Sequence, residues 1–323
     1  MVRFGDRREE LRAQATYLRL MWAGTYSLGK LLATSAGDVR RLRQLGPSEE
    51  QNVRPPRRYD LPPYAPGMRF CTSREKYLRP TRYCNPRAPE VVAMAHALGA
   101  YQVSDAEFAM AAFEFAKEKL VLEILPFDGV EDTLRRGTGT CFHLISVFIA
   151  LCRSAGIKAR YKMFAMSMIQ AWQDGLSVDP LVKKWYDSLG YFMIEGEGEA
   201  LVDGRWVVAH VGPSAERQAA GGIPITRFGE DALGIWFFAR PGTIMRMESV
   251  PLGLGAGSRL LQRIAPGSMK RVSLSVLKQI ERGRQVIQEA GGVQAYDAKV
   301  RSARGPQTPE VELIARPEIV FVE

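Results

Sequence analysis

Apolar residues recur at separations of three, four and seven through the first 45 positions (Leu11, Leu18, Met21, Trp22, Leu28, Leu31, Leu32), and this spacing predicts helix. Gly24 and Gly29 interrupt it, which favours a bend or two short helices over one rod. From Gly46 to Met68 the pattern lapses into Pro, Arg and Tyr, an extended connector, so the folded body is expected to begin near Arg69. Helical spacing returns in Pro89–Ala100. It returns again in Ser104–Leu122, where Ser104 is the N-cap and Glu107 stands at the capping-box position. A Gly/Thr-rich turn, Gly137-Thr-Gly-Thr140, then opens an apolar helix at Cys141 that Gly156 closes, and a strand follows from Lys158 to about Met166. Tyr191–Val202 and Arg205–Val211 flank Asp203-Gly204, a strong hairpin signal. Gly221–Gly242 is irregular apart from the apolar Ile235–Ala239. Residues 270–300 are helical again, and the tail from Ser302 ends in a short strand-like segment, Glu318–Val322. Helices followed by an antiparallel meander predict an α+β fold with helical N- and C-terminal extensions. The expected division is 1–68 as a basic helical extension and connector, 69–245 as the core, and 246–323 as a helical C-terminal region and tail.

Composition narrows the chemistry. With 323 residues, 46% hydrophobic and 24% charged, the chain has the make-up of an ordinary globular protein, neither disordered nor fibrous. Its longest stretch without Asp, Glu, Lys or Arg, Gly137 to Cys152, is too short for a membrane span. The first 32 residues intersperse charges among apolar residues and lack the form of a signal peptide. Four cysteines in a chain of this length suit a reducing compartment, although Cys71 and Cys84 are close enough in sequence to pair. The expected location is therefore cytoplasmic. Only three histidines occur (His96, His143, His210), and no CxxC or HxxxH spacing marks a zinc site, so thiol or imidazole chemistry must draw on very few residues.

Charge is uneven. Residues 1–65 hold 12 Lys/Arg against 7 Asp/Glu, which is +5 of the chain's net +9. Arg40, Arg41, Arg43, Arg54, Arg57 and Arg58 suit an acidic partner for the extension, or simply a solvated basic arm. No nucleic-acid motif accompanies them, and none is expected as a partner.

Cys141 is the first candidate nucleophile. Capped by Thr140 or Thr138, it falls in the first helical turn, where unpaired N–H groups and the helix dipole favour a thiolate. The alternative is a small buried hydrophobe, a description that fits Cys152 better because no glycine-rich turn adjoins it. His143 lies two positions on from Cys141, roughly 200° around the helix, which suits packing or support better than proton transfer. His96 reads as a core or surface histidine. Glu195, Glu197 and Glu199 alternate and share one strand face. They fit a solvated face, a pocket for a cationic substrate or, with His210, a divalent-metal site. Gly196 and Gly198 would let another element approach the opposite face.

Three ordered stretches together carry a resemblance: Tyr77–Val92, Asp132–Cys141 with its helix running to Ala155-Gly-Ile-Lys-Ala-Arg-Tyr161, and Leu201-Val-Asp-Gly-Arg-Trp-Val-Val208. Over roughly residues 75–245 the chain resembles the transglutaminase-like superfamily. The resemblance implies a papain-like core of helices packed on an antiparallel sheet and a thiol that forms acyl-enzyme intermediates on an acyl substrate that is small, peptidic or carrier-bound. It also points to Cys141 as nucleophile and accounts for a glutamate at Glu199 alone of the three; Thr140, Trp206, Glu197 and Glu199 are the candidate substrate-side residues. It implies neither a cofactor nor a bound metal. This chain departs from the pattern where the family places its histidine: that position holds Glu195, and His210 stands where a carboxylate is common. If His210 reaches Cys141 with Glu195 behind it, a triad survives in altered order. If Glu195 itself faces the sulfur, its charge disfavours the thiolate. The leading expectation is acyl transfer, or amide-bond formation or cleavage, with Cys141 attacking, His210 moving protons and Glu195 orienting it. The alternatives are a binding or scaffold protein on an altered catalytic set, and a metal enzyme using Glu195, Glu197, Glu199 and His210.

Overall fold

The chain begins with α1 (Phe4–Thr34) and α2 (Ala36–Gln44). The computed structural model describes residues 4–44, 54–167, 179–188, 193–231, 238–240 and 242–304. The break between the first two helices falls at Ser35, not at Gly24 or Gly29. Ala13, Tyr17, Leu20, Ser27 and Leu31 are buried along the length of α1. That continuous packed face outweighs a propensity cost of about 1 kcal/mol per glycine. The described part of the connector, from residue 54, is without helix or strand as expected; residues 46–53 and the strand-like tail 318–322 lie outside the described residues.

The core helices follow in order: α3 (Pro89–Ala97), α4 (Asp105–Glu114), α5 (Val130–Arg136) and α6 (Cys141–Ser154). The capping box at α4 forms as read, with Ser104 Oγ accepting from Glu107 N–H at 3.3 Å and Glu107 Oε2 accepting from Ser104 N–H at 2.9 Å. The helix predicted to reach Leu122 stops earlier. It passes into a π-helical turn, Phe115–Lys119, and then into β1 (Val121–Leu122), which pairs in parallel with β2 (Thr138–Gly139). This small pairing holds the Gly/Thr turn that leads into α6.

The main sheet is antiparallel, formed by β3 (Ala159–Ser167), β4 (Met193–Val202), β5 (Arg205–Ala209), β6 (Phe238–Ala239) and β7 (Met245–Met247), with β6 and β7 both on the outer edge of β3. Asp203 and Gly204 take φ values of 50° and 74°, the left-handed pair that a two-residue hairpin turn requires. α6 crosses one face of this sheet. A side chain at Gly198 would come within 2.5 Å of the Phe148 ring, and one at Gly196 within 3.1 Å of Phe142, so the two glycines allow α6 to sit directly on β4. Below α6, the fully buried Arg153 donates to the carbonyls of Ala159, Arg79 and Glu248, locking the turn into β3.

α7 (Pro180–Ser188) and α8 (Ala215–Ala220) lie between strands, and α9 (Leu252–Ile264), α10 (Pro266–Glu289) and α11 (Val293–Arg304) complete the described chain. The helix expected over 270–300 divides at Gly291 and Gly292, which take φ values of 87° and 115°. Gly283 brings α10 against α8 so closely that a Cβ there would overlap the carbonyl of Glu216. The architecture is α+β, helices packed on an antiparallel sheet.

Candidate active site at the start of α6

Thr140 is the N-cap of α6 and Cys141 its first residue. His143, buried one turn in, fixes this junction. Thr140 donates its N–H to His143 Nδ1 at 3.0 Å, and Thr140 Oγ1 stands 2.7 Å from the same nitrogen. On the other side of the ring, Nε2 faces Asp128, accepting from its backbone N–H at 3.2 Å and lying 3.1 Å from its Oδ1. Burial raises the Asp128 carboxyl, but hydrogen bonds from His143 and Arg136 outweigh it and bring it down to about 2. His143 also stacks on Phe127 at 4.5 Å. It therefore supports the turn and points away from the thiol. Thr140, expected on the substrate side, has its hydroxyl engaged in this cap.

The thiol of Cys141 meets Glu195. Burial first, then the charge of Glu195 and a hydrogen bond to it, push the thiol well above its ordinary range, against the opposing pull of the Phe142 N–H and Arg217. The thiolate expected from the helix position is thus not the resting form, because desolvation and an adjacent carboxylate exceed what one helix dipole supplies. Glu195 is itself raised by burial, an effect partly opposed by the Gly196 N–H at 3.0 Å, by the Cys141 thiol and by Arg217. The expected order of a histidine next to sulfur and a carboxylate behind it is therefore changed: the carboxyl contacts the thiol directly.

Arg217, from α8, is the member that sequence reasoning missed. It is buried, and desolvation lowers its guanidinium to about 10 while Glu195 and Cys141 raise it. Its Nε lies 3.4 Å from Gln279 Oε1 on α10, so the C-terminal helices reach the site. No motif marks it; its only sequence signal is an arginine within the short, Ala-rich segment Ala215–Ala220.

His210 shares the site from another side. A side chain at Gly212 would lie 3.6 Å from Cys141 Cβ and 3.9 Å from His210 Nε2, so both residues line the space in front of that glycine. Burial, then the charges of Lys117, Lys162 and Arg217, drive His210 well below its usual range, and its ring is neutral. Lys117 belongs to the π-helical turn and donates to Pro213 O, Gln218 Oε1 and Thr226 Oγ1 at 3.0, 2.8 and 3.1 Å. Burial lowers it to about 8. It ties the helical layer to the segment that carries His210, Gly212 and Arg217.

The remaining substrate-side candidates have structural occupations. Glu197 is paired with Lys162, its direct cross-strand neighbour, at 2.9 Å, and Lys162 also binds Asp231. Glu199 is paired with its cross-strand neighbour Arg160 at 2.6 Å and with Arg246 at 3.3 Å. Trp206 lies under the Arg160 guanidinium, 3.9 Å from ring centroid to carbon, with Tyr77 edge-on at 5.3 Å. Opposite charges on neighbouring strands hold both glutamates in the sheet. The metal reading also loses its geometry: among the described residues no three His, Cys, Asp or Glu side chains gather as a ligand set. Cys71, Cys84 and Cys152 are free thiols, so the pairing considered for Cys71 and Cys84 does not form.

Residues 92–180 match the core model of the transglutaminase-like superfamily. The match runs from within α3 to the first residue of α7, so it includes Cys141 and its turn but stops before Glu195, His210 and Arg217. A crystal structure of a Cytophaga hutchinsonii protein provisionally assigned as a cysteine protease aligns at 18% identity over 42% of this chain and 40% of that chain, with a TM-score of 0.30. The chain thus spans less than half of that neighbour's length. No curated protein matches.

Proposed function

We propose, from a transglutaminase-like segment that carries its thiol at a helix start, that this protein is a thiol enzyme acting on acyl groups through a Cys141 thioester, with Glu195 as the proton carrier. The observation that supports this reading is the contact of the half-buried Cys141 with the buried Glu195, with Arg217 close enough to interact with both. As Cys141 Sγ bonds to the carbonyl carbon, its proton passes to Glu195, so no free thiolate needs to accumulate. Arg217 offsets the single negative charge shared by the pair. The first-turn N–H groups of α6 receive the developing oxyanion. Protonated Glu195 then returns its proton to the departing amine or alcohol. His210, neutral and facing the same space, accepts a proton from the incoming water or amine as that acceptor displaces sulfur from the acyl carbon, and the proton then returns to the departing Cys141 sulfur to restore the thiol. Acyl transfer and amide cleavage both follow from this scheme, the difference being which acceptor reaches the thioester.

Incubation with p-nitrophenyl acetate followed by intact-mass measurement tests the reading. The wild-type chain should gain one acetyl group on Cys141, and Cys141→Ala should gain none there. The scaffold reading draws on the same raised thiol, because a retired site needs no accessible thiolate. A wild-type chain that forms no adduct with activated esters at any pH up to the thiol's titration would establish that reading instead.

A further inference from the structure

α1 turns one face to the core and the opposite face to solvent. Leu11, Leu18, Trp22 and Tyr26 are 64, 66, 74 and 68% exposed. Their separations of seven, four and four place them on one stripe, within ~80° of helical arc. The exposed Arg12, Arg19 and Lys30 form a row along one flank of that stripe, ~80–100° from Leu11. Arg12 and Arg19 also line a groove of ≈ 350 Å³ between α1 and the segment leading into β7, together with Ile244 and Arg246. Arg246 itself is held by Glu199 and Glu9. Scattered exposed apolar side chains are ordinary, but four large ones in register are an interaction face.

We propose that α1 docks the protein on an anionic lipid bilayer, with Leu11, Leu18, Trp22 and Tyr26 entering the headgroup boundary and Arg12, Arg19 and Lys30 on lipid phosphates. Charge complementarity selects this occupant: the exposed basic row of Arg12, Arg19 and Lys30 runs beside the apolar stripe on the same helix. A second copy of the helix fits less well. Ala15 and Gly29 fall on the same stripe, which leaves gaps in a coiled-coil seam, and two such helices side by side in parallel would bring rows of like charge together. A bilayer requires no matching knobs, and Trp and Tyr settle at headgroup depth. The contact is peripheral; no helix among the described residues is long and apolar enough to cross a membrane. The inference stands apart from the chemistry at Cys141.

Co-sedimentation of the full chain with phosphatidylcholine vesicles, with and without about one-third phosphatidylglycerol, tests it. The expected result is binding at least tenfold tighter to the anionic vesicles, weakened by salt and untouched by inorganic phosphate. The double variant Leu18→Glu/Trp22→Glu should lose this binding with an unchanged circular dichroism spectrum. Arg12→Gln/Arg19→Gln should weaken it by about fivefold per removed charge and flatten its salt dependence. Indifference to anionic vesicles, full binding by the Leu18→Glu/Trp22→Glu variant, or competition by free phosphate would overturn the proposal. Self-association that this double variant abolishes, without vesicle binding, would assign the stripe to a protein partner instead.

Discussion

β4 carries three glutamates on alternate residues, and the two ends of that strand put them to different use. Glu197 and Glu199 stand opposite Lys162 and Arg160 on β3, and each forms an ion pair across the ladder. Glu195 stands opposite Phe164, which offers no charge, and its carboxyl reaches the Gly196 N–H and the Cys141 thiol instead. The residue type, the strand and the spacing are the same. What separates a carboxylate bound into the sheet from one available to a nucleophile is the residue across the strand, together with the helix start that α6 brings to that end.

The largest expected effect lies at the Glu195 end. Cys141→Ala should lower any acyl-transfer or amidase turnover by roughly a thousandfold or more, measured with the substrate that acylates the wild type. At the other end, Lys162→Met should leave turnover chemistry intact in kind but destabilise the fold. Glu197 is wholly buried, and removing its cation costs about 3–5 kcal/mol, read as a fall in the urea midpoint. The double variant Lys162→Met/Glu197→Met should recover most of that loss. If Lys162→Met costs nothing, the ladder is not what holds this end of β4.

Much of this framework was legible because it is local. The Ser104/Glu107 box, the Asp203-Gly204 turn and the opening of α6 each depend on residues within a few positions of one another. The glycines at 196 and 198 also signalled a close approach, and Phe142 and Phe148 supply it. What escaped the sequence depends on distant neighbours. Arg217 acquires its meaning only when α8 packs beside Glu195, and Lys117 only when the π-helical turn meets Pro213 and Thr226. The order of the catalytic groups escaped for the same reason. Counting along a hairpin gives the rung of Glu195 and His210, but the approach of α6 decides which of them touches sulfur.

The Glu195→Gln substitution probes the same contrast with changes of opposite sign in two assays. Removing the carboxylate takes away a charge and a hydrogen-bond acceptor that both raise the thiol. The Cys141 titration should therefore move down, and alkylation by iodoacetamide at pH 8 should speed up by about tenfold for every pH unit by which that titration falls. Turnover should fall by about 10²–10⁴-fold in the same variant, because the proton carrier is gone. A variant slow in both assays would mark Glu195 as a support for the fold. Glu199→Gln, at the far end of β4, should leave the thiol's titration where it is.

The smallest effect separates Glu195 from His210 as the partner of the thiol. Gly212 does not have a positive φ, and a methyl there meets Cys141 Cβ and His210 Nε2 at 3.6 and 3.9 Å, ordinary contact distances. Gly212→Ala should therefore fold normally, within about 1 kcal/mol of wild type in urea. The methyl stands in the space the two side chains share but touches neither Glu195 nor Arg217 among its near neighbours. With Glu195 as the thiol's hydrogen-bond partner and proton acceptor, the midpoint of Cys141 alkylation against pH should stay where it is in the wild type, while release of the acyl group slows because the acceptor's path past His210 is narrowed. A displaced midpoint would move the base role to His210, and it would make the Glu195 end of β4 as structural as the end held by Lys162 and Arg160.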